Sequence, residues 1–431
     1  MSDARKTLGK GEFKTLGLSS LGGALEFYDF IIFVFFTQYI SMHFFPSDLS
    51  AFWKDLNTYG TFAAGYLARP IGGIIMGHFG DKLGRKNMFM LSILLMVVPT
   101  FSLALIPTYE SIGYLAPLFL LLVRIFQGIA IGGELPGAWV FVREHAPENQ
   151  SSLYLAVLTA SVVGGILLGN LVALVLNLVL SVEQMRGWGW RIPFFIGGVF
   201  GIISIYLRKF LSETPVFQQM KQDKNLEKFP LKEVLKTSKK GVILSMFSTW
   251  VLAGCIVVLV LFMPNFIQKV FALSGVQKSL VQMAGIISLV FGCVIAGRFA
   301  DKYGIAKGYK LFALLLAFLS ALFFYYLYAS HHQVMAVIFY VLTCFSVAIM
   351  VFTPIVMCEV FEAKFRFSGI SFAYNIGYAI VGSFTPQLAL ALHTYASQSQ
   401  GIGAFALYGY ILVLCIVAYG VACAYKALWE K

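Results

Sequence analysis

The sequence predicts an all-α membrane protein with twelve transmembrane helices in two similar six-helix bundles. Three observations predict this fold: the apolar composition, the number of long apolar segments, and a loop sequence that occurs twice. Hydrophobic residues make up 59% of the chain and charged residues only 12%, whereas a soluble domain carries about 25% charged residues. A chain this apolar needs lipid as its solvent. Its apolar segments are continuous and not alternating, which favours helices over a β-barrel.

Twelve segments are long and apolar enough to span a bilayer, which takes about 20 residues in a helix. They cover residues 18–44, 57–79, 87–107, 113–142, 152–180, 191–211, 241–268, 277–299, 309–329, 333–358, 368–393 and 402–426. Placing both termini in the cytoplasm puts about 25 of the 32 Lys and Arg residues on the cytoplasmic side, as the positive-inside rule requires. Because this rule accounts for the basic loops, the net charge of +12 does not indicate nucleic-acid binding.

The loop after the second segment is repeated after the eighth segment. Residues 77–86 read GHFGDKLGRK, and residues 297–307 read GRFADKYGIAK. Five positions match at a single offset: Gly77/Gly297, Phe79/Phe299, Asp81/Asp301, Lys82/Lys302 and Gly84/Gly304. A repeat of this kind indicates two similar halves in tandem. We therefore predict an N-terminal bundle over 1–211, a lysine-rich cytoplasmic linker over 212–240 and a C-terminal bundle over 241–431.

Five charged residues lie inside the predicted spans of the N-terminal half: Glu26, Asp29, Arg69, Arg124 and Glu134. A charge in hydrocarbon costs ~3 kcal/mol or more, so each needs a function or a partner. Glu26 and Asp29 share one helix face, and two close carboxylates do not ionise together cheaply. These two and Glu134 are candidates for carrying protons. The alternatives are that Glu26 and Asp29 only pair with the two arginines, and that Glu134 is a gate residue.

The arginines Arg69 and Arg124 are candidates for binding a substrate carboxylate or for neutralising the buried acids. Tyr28, Tyr374 and Asn375 are further candidates for substrate contact, although hydrogen bonding between helices also explains the polar pair in the eleventh segment. The six cysteines and six histidines show no spacing typical of a metal site or a catalytic group. We therefore expect no metal, no cofactor and no enzymatic activity.

Several motifs carry a resemblance to a known family. The repeated loop and the run Arg124-Ile125-Phe126-Gln127-Gly128 resemble the signature motifs of the major facilitator superfamily. Five further runs resemble the metabolite:H+ symporter family within it, closest to the pattern of its proline/betaine transporters. They are LEFYDF at 25–30, ARPIGG at 68–73, GGE at 132–134, GWGWRIPFF at 187–195 and ETPVF at 213–217.

The resemblance implies a bacterial inner-membrane symporter in which two six-helix bundles enclose a central site reached by alternating access. Members of the family carry proline and betaine, 2-oxoglutarate, citrate, shikimate or other small carboxylated metabolites. We expect proton-coupled import of a small carboxylated or zwitterionic metabolite, most of all a proline- or betaine-like one, by a monomer surrounded by lipid. The alternatives are a dicarboxylate, 2-oxoglutarate or citrate symporter, then an efflux carrier or a sensor that does not transport.

The resemblance also implies that the repeated loop latches the cytoplasmic side of the carrier. The candidate gating residues are Gly77, Asp81, Arg85 and Asp301. The physical expectation is that Asp81 lies against the positive N-terminal end of a neighbouring helix. Opening the cytoplasmic side would then require that contact to break.

Overall fold

The structure of the protein is a computed structural model that describes residues 10–46, 48–398 and 405–430. In this part of the chain all regular structure is helical. Six long helices form the N-terminal half: α1 (Lys10–Phe35), α2 (Ala51–Leu83), α3 (Arg85–Leu105), α4 (Leu115–His145), α5 (Ser151–Val179) and α6 (Ile192–Arg208). Short helices at Thr37–Phe44, Tyr109–Ile112 and Val182–Gly187 connect them.

Six long helices form the C-terminal half, and three of them change helix type along their length. They are α7 (Lys239–Phe271), α8 (Gly275–Tyr303), α9 (Ile305–Ala329), α10 (Gln333–Val360), α11 (Arg366–Gln398) and α12 (Ala406–Leu428). Helix α7 contains a π-helical segment at Ile256–Phe262, α9 ends in another at Tyr325–Ala329, and α10 contains a 3₁₀ segment at Val347–Val351. Such segments inside long helices are frequent at functional sites and hinges.

Ten of the twelve long helices in the described part of the chain are apolar enough to cross a membrane. The other two, α2 and α11, have 33 residues each and are about 50 Å long. Polar residues and glycines interrupt their apolar residues, and the two helices pack against each other between the two halves. The predicted fold class, twelve helices in two six-helix bundles, is confirmed.

The prediction of one unbroken helix over residues 18–44 is wrong. The structure divides it into α1 and the short helix Thr37–Phe44, separated at Phe36, whose φ and ψ are −107° and 12°. Phe36 and Phe44 are buried with Trp190 in a small aromatic core at this end of the bundle. Hydropathy does not show such a break, because apolar residues such as Phe35 and Ile40 lie on both sides of it.

Two antiparallel helix pairs join the halves, α2 with α11 and α5 with α8. Glycines of the repeated sequence allow these backbones to approach closely. A Cβ atom at Gly77 would lie 2.9 Å from the Cα of Ser368 in α11, and one at Gly297 in α8 would collide with Ala156 in α5. The repeat in the sequence therefore corresponds to two equivalent contacts between the halves.

Residues 212–240 contain two short helices, Pro215–Gln222 and Pro230–Thr237. Each begins with a proline, which is favoured at the first helical position, and the hydroxyl of Thr214 accepts a hydrogen bond from the N–H of Phe217. Their lysines are mostly exposed. The division into two bundles and a cytoplasmic linker at these boundaries stays a prediction.

Candidate functional site

A small cavity lies between the two halves. Helices α1, α2, α4 and α5 contribute one wall, and α7, α10 and α11 contribute the other. Arg69 is the one charged residue among the described residues that line it. Aromatic rings of Phe27, Trp139, Tyr374 and Tyr378 line it as well, and the remaining lining residues are apolar except for Thr159. The cavity is therefore apolar and aromatic, with a single cation at its edge.

Arg69 is buried, with 2% of its surface exposed. Its Nε donates to Oδ1 of Asn375 at 3.3 Å, and its guanidinium carbon lies 4.2 Å from the ring centre of Tyr378 and 5.2 Å from that of Tyr374. Its Nη2 is buried without a hydrogen bond of normal geometry. An arginine held in place on one side and left with an unused donor on the other is suited to bind a carboxylate.

Asn375 and Tyr374 hold the opposite side of this arrangement. The amide nitrogen of Asn375 donates to the carbonyl oxygens of Gly132 at 2.6 Å and Ser371 at 2.7 Å, so its oxygen faces Arg69. Tyr374 packs edge-on against Trp139, with ring centres 4.8 Å apart. Two of the predicted substrate contacts, Tyr374 and Asn375, thus lie together with Arg69. The amide group of Asn375 already makes hydrogen bonds to Arg69 and to two helix carbonyl groups.

Asp29 is buried inside the N-terminal bundle and takes part in none of the ion pairs that the structure describes. Thr100 of α3 lies beside its carboxylate. The hydroxyl of Thr100 donates to the carbonyl of Met96 at 3.0 Å, and the same side chain contacts the Asp29 carboxylate. Gly197 of α6 packs directly against Asp29. An ionised carboxylate here would have little compensation for its burial.

Arg124 is connected to this carboxylate through two polar side chains. Its Nη1 donates to Oε1 of Gln127 at 2.8 Å, and Nε2 of Gln127 donates to Oγ1 of Thr100 at 3.0 Å. Its guanidinium lies 4.1 Å from the ring centre of Phe33. The predicted arginine and the predicted acid therefore belong to one buried polar chain that runs from α4 through α3 to α1. Gln127 entered the sequence analysis only as part of the run 124–128, without a role, and Thr100 was not singled out.

Two other predicted residues of α1 have different outcomes. The side chain of Glu26 lies outside the described residues, so its predicted role stays a prediction. Tyr28 is buried, and its hydroxyl donates to the carbonyl of Pro193 at 3.0 Å. Tyr28 is not among the described residues that line the central cavity. The contact that Tyr28 makes between α1 and α6 therefore explains why it is buried.

Glu134 lies in a buried ion pair with Arg208 at the end of α6, at 2.5 Å. The hydroxyl of Ser92 also donates to its carboxylate, and Arg208 donates to the carbonyl of Phe89 at 2.6 Å while lying over that ring. Glu134 is not among the described lining residues of the cavity, although its neighbour Leu135 is. Its role as a proton carrier or gate stays a prediction. Arg208 could not be singled out from its position in the sequence, because an arginine at the end of a predicted span is expected to reach the interface.

The repeated loops lie at the same end of the bundle, here called the loop face, and each ends a helix at a glycine with positive φ (Gly84, 119°; Gly304, 98°). Asp81 accepts hydrogen bonds from the backbone N–H groups of Phe367 at 3.3 Å and Ser368 at 2.8 Å, at the start of α11. Asp301 accepts equivalent bonds from Ser152 and Leu153 at 2.9 Å each, at the start of α5. Each aspartate therefore binds the N-terminus of a helix in the opposite half.

Arg85 extends the Asp81 contact. It pairs with Asp81 at 3.1 Å and with Glu144 of α4 at 3.4 Å, and it donates to the carbonyl of Ala363 at 2.6 Å. Glu144 also pairs with Arg366 of α11 at 3.4 Å. The predicted gating residues Asp81 and Arg85 thus share one network with Glu144 and Arg366, which sequence reasoning missed because no spacing connects these segments.

A second pair of acids extends the internal repeat beyond the loops. Glu213 accepts hydrogen bonds from the backbone N–H groups of Arg85 and Lys86 at 3.2 Å, at the start of α3. Glu430, which follows α12, accepts a bond from the N–H of Ala306 at 3.4 Å, at the start of α9. Side chains after the sixth and twelfth helices therefore cap the third and ninth helices in the same way.

Comparison with known proteins gives one consistent result. The family model described as Major Facilitator Superfamily matches residues 25–414. A putative proline/betaine transporter of Staphylococcus aureus (strain COL) is 28% identical over 395 residues, covering 91% of this chain and 84% of that protein. The inner membrane metabolite transport protein YhjE of Escherichia coli (strain K12) is 32% identical over 403 residues, covering 92% and 90%. The proline/betaine transporter of Escherichia coli (strain K12) is 30% identical over 417 residues, covering 94% and 81%.

Solved structures show the same fold. The proton:xylose symporter XylE superposes with a TM-score of 0.80 at 16% identity, covering 97% of this chain and 96% of that chain. The human organic anion transporter MFSD10 superposes with a TM-score of 0.70 at 13% identity, covering 96% and 100%. At these identities the likeness concerns the fold alone.

Proposed function

The chain belongs to the Major Facilitator Superfamily, and on this premise we propose that it is a proton-coupled symporter that imports a small zwitterionic or carboxylated metabolite, most of all a proline- or betaine-like one. Like the other members of this family, it is a multi-pass membrane transporter and not an enzyme. The observation that carries the proposal is Arg69, a buried arginine with an unused donor at the edge of an aromatic cavity between the two halves.

The substrate part of the proposal rests on this cavity. A carboxylate that reaches Nη2 of Arg69 gains a charge-assisted hydrogen bond, which is roughly twice as strong as a neutral one. The rest of the substrate then meets aromatic and aliphatic side chains, which suits a compact, weakly hydrated body. The names of the relatives, two of them proline/betaine transporters, support the same class of substrate.

The proton part of the proposal rests on Asp29. A buried carboxylate without a partner cation is stabilised by taking up a proton, because the neutral form costs less to bury. The chain of Thr100 and Gln127 connects that carboxylate to Arg124. We infer that protonation of Asp29 changes the charge balance of this chain and thereby the relative stability of the two access states.

The gating part of the proposal rests on the loop face, which we place in the cytoplasm. Asp81 and Asp301 each join one half to a helix N-terminus of the other. These bonds close the loop face, and they must break before a substrate leaves on that side. A proton that moves down ~100 mV supplies ~2.3 kcal/mol for one cycle, enough for roughly fifty-fold accumulation of a zwitterion.

Uptake into proteoliposomes tests the proposal. Purified protein would be given labelled proline, trimethylglycine, 2-oxoglutarate or citrate, with and without an inward proton gradient. We expect gradient-driven uptake of proline or trimethylglycine that a protonophore abolishes. Gradient-driven uptake of 2-oxoglutarate or citrate alone would overturn the substrate class, and uptake of proline or trimethylglycine that ignores the gradient would overturn proton coupling.

A further inference from the structure

We propose that Trp139 is a specificity-determining residue, and that the wall it forms with Tyr374 selects monocarboxylates by how fully their nitrogen is methylated. The inference deepens the proposed function and rests on it, because it concerns the same cavity. It predicts a preference for quaternary over primary ammonium compounds. It also predicts poor binding of dicarboxylates.

The number of carboxylates follows from the charges of the cavity. Arg69 is the one charged side chain among the described residues that line it. A first carboxylate meets the unused Nη2 of this arginine. A second carboxylate on the same molecule would be placed among apolar and aromatic side chains without a cation, and an unpaired buried charge is strongly unfavourable.

The position of the positive end follows from the rings. Arg69 lies over Tyr378 and Tyr374, at 4.2 and 5.2 Å from their ring centres, so these two rings already face a cation. Trp139 also lines the cavity and is 3% exposed. It faces no cation in the cation–π pairs that the structure describes. Indole is the best of the aromatic partners for a cation. Because indole is a better partner for a cation than the phenyl ring of Phe27, which also lines the cavity, we assign the positive end of a substrate to Trp139.

The preference for methylation follows from hydrogen-bond acceptors. A primary ammonium has three N–H donors, and each one buried without an acceptor costs free energy. No carboxylate belongs to the described lining of the cavity. The hydroxyl of Thr159 donates to its own helix at Leu155, which leaves its oxygen as an acceptor for one donor, while the hydroxyls of Tyr374 and Tyr378 lie beside Arg69. A quaternary ammonium has no N–H group, so it loses nothing there.

The test uses a series of ligands that differ only in methyl groups. Glycine, N-methylglycine, N,N-dimethylglycine and trimethylglycine share one carboxylate and one carbon spacing. Isothermal titration calorimetry on the purified protein in detergent would measure their affinities without a proton gradient, with succinate as the dicarboxylate. We expect the affinity to rise along the series, by about tenfold or more from first to last, and succinate to bind more weakly than trimethylglycine.

Variants test which side chain causes the affinity to rise along the series. Trp139→Leu is expected to flatten the series, Trp139→Phe to keep the order with a smaller span, and the exposed Trp188→Leu to leave it unchanged. Circular dichroism and gel filtration would confirm that each variant is folded. Glu26, whose side chain lies outside the described residues, is the rival: if Glu26→Gln removes the order and Trp139→Leu keeps it, the inference is wrong.

The outcomes separate this inference from the proposed function. Equal affinities along the series in the unmodified protein, together with proton-driven uptake of these compounds, would overturn only the role of Trp139. A tighter affinity for succinate than for trimethylglycine would overturn the single-carboxylate argument. Failure of every member of the series to bind or to be taken up would overturn the proposed substrate class itself, and the inference with it.

Discussion

Replacing Asp81 by asparagine should shift the carrier toward the state that is open at the loop face. Asp81 accepts two backbone hydrogen bonds from α11, at 3.3 and 2.8 Å, and pairs with Arg85 at 3.1 Å. Asparagine keeps one acceptor oxygen and loses the charge. A hydrogen bond to a charged group contributes ~1.5–3 kcal/mol, and 1.4 kcal/mol changes an equilibrium constant about tenfold. We therefore expect the equilibrium between the closed and the open loop face to shift toward the open state by about 10- to 150-fold.

A single cysteine reports this shift. Ser371 of α11 is buried against Gly77 of α2, so Ser371→Cys in a cysteine-free background should react slowly with a maleimide while the loop face is closed. Adding Asp81→Asn should raise the labelling rate, because the pair α2 and α11 must separate there for the reagent to enter. The matched control is Asp223→Asn, which removes a charge from an exposed residue of the short helix region after α6.

If Asp81→Asn leaves the labelling rate unchanged, the contact of Asp81 with α11 does not hold the loop face closed. Equal acceleration by Asp223→Asn would lead to the same conclusion, because the effect would then come from net charge and not from the latch. Asp301→Asn, at the equivalent position of the other half, should accelerate labelling of a cysteine placed between α5 and α8.

Three further predictions concern the buried polar groups. Asp29→Asn should abolish gradient-driven accumulation in proteoliposomes while substrate exchange at equal concentrations continues; loss of both activities would mean that Asp29 is only structural. Thr100→Val should change the pH dependence of uptake more than Thr100→Ser does, and identical profiles would remove Thr100 from the polar chain. Glu134→Gln should destabilise the protein by ~3–5 kcal/mol, because it removes the negative partner from a buried ion pair with Arg208; an unchanged melting temperature would contradict this.

The sequence was sufficient for the fold because composition and repetition act over the whole chain. Continuous apolar segments determine where helices lie, and the repeated loop implies two equivalent halves. The expectation that Asp81 lies at a helix N-terminus needed only the helix dipole and a short acidic side chain. The sequence did not predict which helices these are. Asp81 binds the start of α11 and Asp301 binds the start of α5 because of how the two halves pack.

The site was less predictable, because its partners are far apart in sequence. Arg69 could be singled out as a charge in a span, but its contact with Asn375 joins residues 306 positions apart. Arg208 and Glu134 are separated by 74 positions, and an arginine at a span end looks like an interfacial anchor. Trp139 lies in an apolar run, where composition alone does not separate a ring that lines a cavity from one that faces lipid.

The most direct test of proton-coupled symport is to follow protons and substrate together. Proteoliposomes with a pH-sensitive dye inside, equal pH on both sides and the membrane potential clamped at zero would receive a step of external trimethylglycine or proline. Proton-coupled symport predicts that the interior acidifies as the substrate enters, and that Asp29→Asn removes the acidification. Substrate entry without any change in internal pH, or with an alkaline change, would contradict symport and indicate facilitated diffusion or antiport instead.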